Sequence, residues 1–199
     1  MSRIEEERRF FNERAHTWDE KVVHDGKKVQ TIINHIGIKR GDSVLDVGCG
    51  TGVLTPDLFQ KVKEEGSILA MDLSENMIAI AKEKYSYPNV YFQRGNVLAD
   101  LKDKAFQHII CYSMFPHFED KREAIHRLKK HLLPKGTLTI AHSNSREYIN
   151  GMHKEQSGTI VEEDRLPSIK TLRDYGKEVG LRLGKTVDSS EYFILIFEN

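Results

Sequence analysis

Between residues 43 and 142 the chain alternates short apolar runs with amphipathic stretches. Ser43–Val47, Ser67–Met71, Val90–Gln93, Phe106–Cys111 and Thr137–Ala141 have the length and the Val/Ile/Leu content of buried strands. The segments between them, Val53–Val62, Glu75–Lys84 and Lys121–Leu132, carry apolar residues at helical spacing. Strands alternating with helices predict a parallel sheet covered on both faces. Two helical patterns precede this block. Arg3–Arg14 is charge-rich, with Ile4, Phe10, Phe11 and Ala15 as its apolar side, and a second pattern uses Val22, Val29, Ile32, Ile33 and Ile36. Gly37 and Gly41 mark the exit, and Pro134-Lys135-Gly136 predicts a turn into the fifth strand.

After residue 142 the rhythm changes. Residues 143–166 are polar, rich in His, Ser and Glu, and weakly periodic. A helix is predicted over Ser168–Val179, closed by Gly180. Leu181–Val187 and Tyr192–Phe197, joined by Asp188-Ser189-Ser190, then read as an antiparallel hairpin.

Composition changes this picture little. The chain has 199 residues, enough for one domain, with 39% hydrophobic and 30% charged residues. Thirty basic residues balance thirty acidic ones, so no basic excess points to nucleic acid. No apolar stretch is long enough to span a membrane. Cys49 and Cys111 lie in apolar runs, the usage of a reducing compartment, and the charged start lacks a signal core. These features predict a single cytoplasmic domain over 1–199, working as a monomer or homodimer. Nine histidines are the one oddity.

The densest chemical signal is Val44-Leu45-Asp46-Val47-Gly48-Cys49-Gly50-Thr51-Gly52, a strand running into three alternate glycines before a helix. Glycine allows positive φ and close approach of a ligand, and the helix aims free N–H groups at the turn. A dinucleotide would use such a turn, but its G-x-G-x-x-G/A pattern meets Val53 at the third fingerprint position. Asp72 closes the second strand where an acidic side chain can grip ribose hydroxyls, or else cap the next helix. Ser74 is itself a plausible cap.

Asp46 to Gly52 resembles the first motif of the class I S-adenosylmethionine-dependent methyltransferases, an acidic residue followed by x-G-x-G-x-G. The resemblance extends from about Phe10 to Phe197. It implies a doubly wound, Rossmann-like α/β sheet of seven strands in the order 3-2-1-4-5-7-6, with strand 7 antiparallel. It also implies S-adenosylmethionine as cofactor and S-adenosylhomocysteine as product. Asp46, Gly48, Cys49, Gly50, Gly52, Asp72 with Leu73, Met77 near the adenine, and Asn96 with Val97 match its binding positions. Asn96 stands where most relatives carry Asp, and its amide oxygen can still accept from the adenine amino group. Gln107 replaces an Asp common before strand 4. Phe10 to Asp19 resembles the lid of quinone-biosynthesis-type small-molecule methyltransferases, which makes residues 1–36 a helical lid. Trp18 in it either stacks on the ligand or anchors the lid.

Methyl transfer from a sulfonium needs alignment, desolvation and sometimes a base. The acceptor should sit beyond the carboxyl ends of strands 4 and 5. Those ends carry Tyr112, His117, His142 and Arg146, and His153 follows in the long polar segment, which is expected to cover the substrate. Neutral imidazole suits general-base work, and His142 is the first choice among the three. His117 could instead pack against the sheet edge. Arg146 suits an anionic group on a small-molecule acceptor, or a surface ion pair with Glu147 or a neighbour. His117, His142 and His153 with Asp164 or Glu162 form a conceivable metal set, but no close His-x-x-x-His or Cys-x-x-Cys pair anchors it, and no metal is expected. His24, His35, His108, His126 and His131 read as surface or packing residues. Two rival functions stand beside the enzyme of small molecules: methylation of a protein or RNA, and non-catalytic binding of S-adenosylmethionine.

Overall fold

The computed structural model describes residues 2–199. A single sheet of seven strands organises them: β1 (Ser43–Val47), β2 (Ser67–Asp72), β3 (Val90–Arg94), β4 (Phe106–Tyr112), β5 (Leu132–His142), β6 (Arg182–Asp188) and β7 (Phe193–Glu198). Their order is β3-β2-β1-β4-β5-β7-β6. The first five run parallel; β7 is antiparallel to both β5 and β6. The doubly wound fold expected from the sequence is therefore present, hairpin included.

The period-2 side-chain alternation of strands divides the core between two faces. Leu45, Leu69, Ile109, Leu138 and Leu195 face one side, where α7 (Lys121–Lys129) and α9 (Ile169–Glu178) add Ile125, Leu128 and Leu172. Val44, Ile68, Ile110 and Ile194 face the other, against Val29, Ile32 and Ile33 of α3 (Gly26–Ile36) and Leu58 of α4 (Thr55–Val62). Helix α5 (Glu75–Lys84) packs Ile78 on Ala70 and Cys49. Each fully buried Leu or Ile contributes about 1.5–3 kcal/mol.

Local signals set the helix ends. Asp25 accepts from the N–H groups of Lys27 and Lys28 to start α3, and Gly37 closes it at φ 81°. Val22 therefore lies outside this helix. A four-residue helix α2 (Trp18–Lys21) and a 3-10 turn (Ala15–Thr17) connect it to α1 (Arg3–Arg14). Two helices lack the expected apolar periodicity: α6 (Val97–Asp100) and α8 (Arg146–Glu155). The predicted turn at Pro134-Lys135-Gly136 lies inside β5, where it forms an irregularity: Lys135 adopts φ 64° and the β4–β5 register shifts between Phe106 and His108. Gln107 has a structural task there, accepting the Ser43 N–H at 2.8 Å and tying β4 to β1.

Candidate active site

The carboxyl ends of β1 and β2 build one half of the site largely from backbone. Gly48, Gly50 and Gly52 all take positive φ, 64°, 53° and 88°. Gly48 is pressed by Met114: a Cβ there would lie 2.8 Å from that side chain. A Cβ on Gly52 would meet the Tyr85 ring at 2.9 Å, whereas one on Gly50 would meet nothing within 4 Å. The turn is thus packed at two glycines and open at the middle one. Asp72 joins the strands across it, accepting from Gly50 N at 2.9 Å and Ser74 N at 2.8 Å. Each carboxylate oxygen keeps a lone pair for a further donor. Ser74 takes the capping role, accepting from Met77 N at 3.1 Å. Leu73 stays partly exposed beside it, while Met77 is 1% exposed.

Asp46 is buried and its Oδ2 has no partner. Burial, and then the charge of nearby Asp72, push its carboxyl up to about 8. Burial raises the Asp72 carboxyl too, against the two backbone N–H groups that favour its charge. The Cys49 thiol, raised by burial, packs with Ala70 and Ile78. Asn96 caps α6: its amide oxygen accepts from Leu98 N at 3.0 Å, so the acceptor expected to meet adenine already holds a backbone donor. Val97 is buried with Val47 and Met71 in the core.

The N-terminal segment straps over this half. Asn12 accepts from Ser74 Oγ and from Asn76 N, and Asn76 Nδ2 donates to its carbonyl at 3.1 Å. Asp19 accepts from Thr51 Oγ1 at 2.5 Å and pairs with Lys84 at 2.7 Å. Trp18 meets Phe11 edge-on at 5.7 Å, and Phe11 meets His117 edge-on at 5.1 Å.

The other half, at the ends of β4 and β5, is built from side chains. His117 and His153 rings lie 5.2 Å apart. His142 is 1% exposed, and neither ring nitrogen has a partner. Burial, with the positive charge that His117, His153 and His24 can carry, holds its imidazolium down to about 3. His117 Nδ1 is 2.6 Å from Asp164 Oδ2; Arg3 of α1 pairs with the other oxygen. His153 Nδ1 lies 3.1 Å from the Asp164 carbonyl. Glu7, also from α1, is buried 3.1 Å from Arg3 Nε, and burial pushes its carboxyl up to about 6. The Tyr112 hydroxyl is 2.8 Å from His24 Nδ1, so His24 belongs to this region rather than to the surface. Among the described residues no group of three or more His, Cys, Asp or Glu is arranged to hold a metal ion.

Helix α8 explains why residues 143–166 look aperiodic. Its inner positions, Arg146, Ile149, Asn150 and His153, follow i, i+3, i+4, i+7 spacing but include one apolar residue. Asn150 exchanges hydrogen bonds with the Leu166 backbone, 2.7 and 3.2 Å. Arg146 Nε reaches Asp188 Oδ2 at 3.3 Å, the ion pair with a neighbour that the sequence allowed. Arg3 and Glu7 enter the site as residues that no sequence motif marks, and Asp164, read in the sequence as a conceivable metal ligand, enters instead as the partner of His117 and Arg3.

A family model described as "Methyltransferase domain" matches residues 38–180. The chain belongs to the class I S-adenosylmethionine-dependent methyltransferases. Among curated relatives, a malonyl-[acyl-carrier protein] O-methyltransferase of Halalkalibacterium halodurans is 28% identical over 144 residues, covering 67% of this chain and 53% of that one. A demethylmenaquinone methyltransferase of Lactococcus lactis is 34% identical over 110 residues, 50% of this chain and 43% of its own. The chain spans about half the length of the curated relatives it matches. Among solved structures, the magnesium protoporphyrin IX methyltransferase of Synechocystis with bound SAH shares the fold over 100% of both chains, with a TM-score of 0.76 at 20% identity. No helix among the described residues is long and apolar enough to cross a membrane.

Proposed function

We propose that this methyltransferase moves a methyl group from S-adenosylmethionine to a small molecule held between α1 and residues 143–166. The observation that carries the reading is the pairing of His117 with His153 under Phe11 of the N-terminal strap, with His117 near enough to Asp72 and His142 to bias the charge of both. Bound there, S-adenosylmethionine supplies a methyl group already activated by its sulfonium charge. The residues fit it. Gly50 leaves space for its passage, Asp72 offers two acceptor oxygens to the ribose, and the orphaned Asp46 carboxyl suits a cationic ligand, which favours its ionised form. Residues 1–36 act as the lid, with Trp18 anchored on Phe11, and residues 143–166 as the substrate cover.

The terminal nitrogens of Arg146 make no hydrogen bond among the described residues, and the residue shares the inner face of α8 with His153. A guanidinium free on that side favours an acceptor carrying a carboxylate or another anion. Relatives named for malonyl-[acyl-carrier protein] and demethylmenaquinone support acceptors of small-molecule type. Tyr112, held by His24, lines the same end of β4. Balanced charge and buried thiols suit a cytoplasmic monomer or homodimer with no nucleic-acid partner.

Calorimetric titration with S-adenosylhomocysteine tests the donor site. The wild-type chain should bind saturably, and Asp72→Ala should bind at least tenfold more weakly, because hydrogen bonds to a charged group are worth about 1.5–3 kcal/mol each. Unchanged affinity in a folded Asp72→Ala chain refutes the assignment.

A further inference from the structure

We infer that Asp164 and His117 form an acid–base dyad, with Asp164 as positioning residue, and that the methyl-accepting atom is a hydroxyl oxygen. The inference rests on the methyltransferase reading above and assigns chemistry within its substrate half.

Asp164 is 1% exposed, and its two oxygens are divided between two partners. One faces the Arg3 guanidinium, which only donates; the other lies 2.6 Å from His117 Nδ1. A carboxyl group paired with guanidinium serves as acceptor, so Nδ1 carries the proton. That fixes the tautomer and leaves His117 Nε2 as the free nitrogen. Nε2 has no hydrogen-bond partner among the described residues. The ring is held edge-on by Phe11 and beside His153. A nitrogen with a lone pair, an oriented ring and a buried carboxylate behind it is the arrangement of a general base.

His142 supplies the second half of the argument. A buried imidazole with two unpartnered nitrogens leaves one N–H and one lone pair in want of a ligand. Because burial keeps it neutral, it offers a hydrogen bond without a charge. A hydroxyl is the complement of this pair: its O–H donates to His117 Nε2 and its oxygen accepts from the His142 N–H. An ammonium group offers no lone pair to His142, a neutral arylamine has its lone pair drawn into the ring, and a thiol is only a weak donor and acceptor. In the step itself, the hydroxyl proton passes to His117 Nε2 while the oxygen bonds to the methyl carbon. The carbon–sulfur bond breaks with its electron pair left on sulfur. The resulting imidazolium faces Asp164 and later loses its proton to water.

Two measurements test this on the full chain. In nitrogen-edited spectra, His117 should show a protected Nδ1 proton, assigned with His117→Gln, and Asp164→Asn should abolish it. A His117 that carries its proton on Nε2 alone overturns the dyad, whether or not methyl transfer is observed. The second measurement offers S-adenosylmethionine with 4-hydroxybenzoate, 4-aminobenzoate or 4-mercaptobenzoate, matched in shape and carboxylate. The phenol should be methylated. Asp164→Asn should lower kcat on it at least 100-fold with KM for S-adenosylmethionine changed less than threefold, and Asp164→Glu should restore at least a tenth of the rate. Preference for the amine or thiol, or no transfer to the phenol by a chain that binds S-adenosylhomocysteine, overturns the hydroxyl assignment. An Asp164→Asn rate within threefold of wild type overturns the dyad's role. Failure to bind S-adenosylhomocysteine would instead refute the donor site, and the spectra would still decide the dyad.

Discussion

The two halves of the cleft are assembled by different means. On the β1–β2 side, the groups proposed to meet the donor come from a few adjacent residues, and backbone N–H groups of Gly50 and Ser74 donate to the Asp72 carboxylate. On the β4–β5 side, the groups are side chains from α1, β5, α8 and the turns between, and Asp164 meets Arg3 across 161 residues of chain. The first half is determined locally. The second depends on the packing of distant segments, so on the proposed function a change of acceptor would leave the donor half the same. That separation fits a fold that hosts many chemistries on one scaffold.

The strongest way to sharpen the comparison is to place the same methyl group at two points of the glycine turn. Gly48→Ala combines left-handed strain with a Cβ 2.8 Å from Met114. Strain and overpacking together cost roughly 2–5 kcal/mol, which should lower Tm by about 5–15 °C. Gly50→Ala has the strain but no clash. Its Tm should fall by only about 2–6 °C, yet it should lose S-adenosylhomocysteine affinity at least as severely. Calorimetry and thermal melts on both variants separate scaffold from ligand. Full affinity in Gly50→Ala would mean the ligand does not pass over the turn.

His142 gives the next largest effect, on the other half. Its folded-state value near 3 lies below the ordinary 6.5, so the unfolded chain binds more protons between those limits. Stability from this residue is therefore complete above pH 6.5 and is lost as pH falls toward 3, by about 1.4 kcal/mol per unit at most. His142→Leu should flatten that acid limb in denaturant titrations at pH 6.5, 5.5 and 4.5. An unchanged slope would show that His142 is not buried neutral. The smallest effect concerns the strap. Asn12→Ala removes acceptors for Ser74 and Asn76 at a cost of about 0.5–1.5 kcal/mol per hydrogen bond. Tm should move little, while S-adenosylhomocysteine should leave several times faster in stopped-flow displacement. A dissociation rate equal to wild type would remove the strap from the donor site.

The same contrast explains what could be read from the residues alone. The strands and the hairpin follow from buried apolar runs, whose interactions are short-range or apolar, whereas the strand order came with the resemblance that the Asp46–Gly52 motif carries. Asp164 escaped as a base partner because its meaning depends on Arg3 and His117, which only the folded chain brings to it. Helix α8 escaped because its inner face is mostly polar: Asn150 and His153 satisfy backbone groups where a core helix would carry Leu. Its one local signal was Ser145, which caps it by accepting from Tyr148 N at 3.1 Å. The Pro134-Lys135-Gly136 turn was real as a backbone irregularity but too small to interrupt β5.

Helix α1 buries a single side chain, Glu7, and it is anchored by polar contacts at Arg3 and Asn12. An element that holds so little apolar area opens at a small fraction of the free energy needed to unfold the sheet. Its amide protons should therefore exchange with solvent well before those of β1 and β4. On the proposed function, admission of substrate and release of product are then local events that leave the strands beneath the donor site undisturbed.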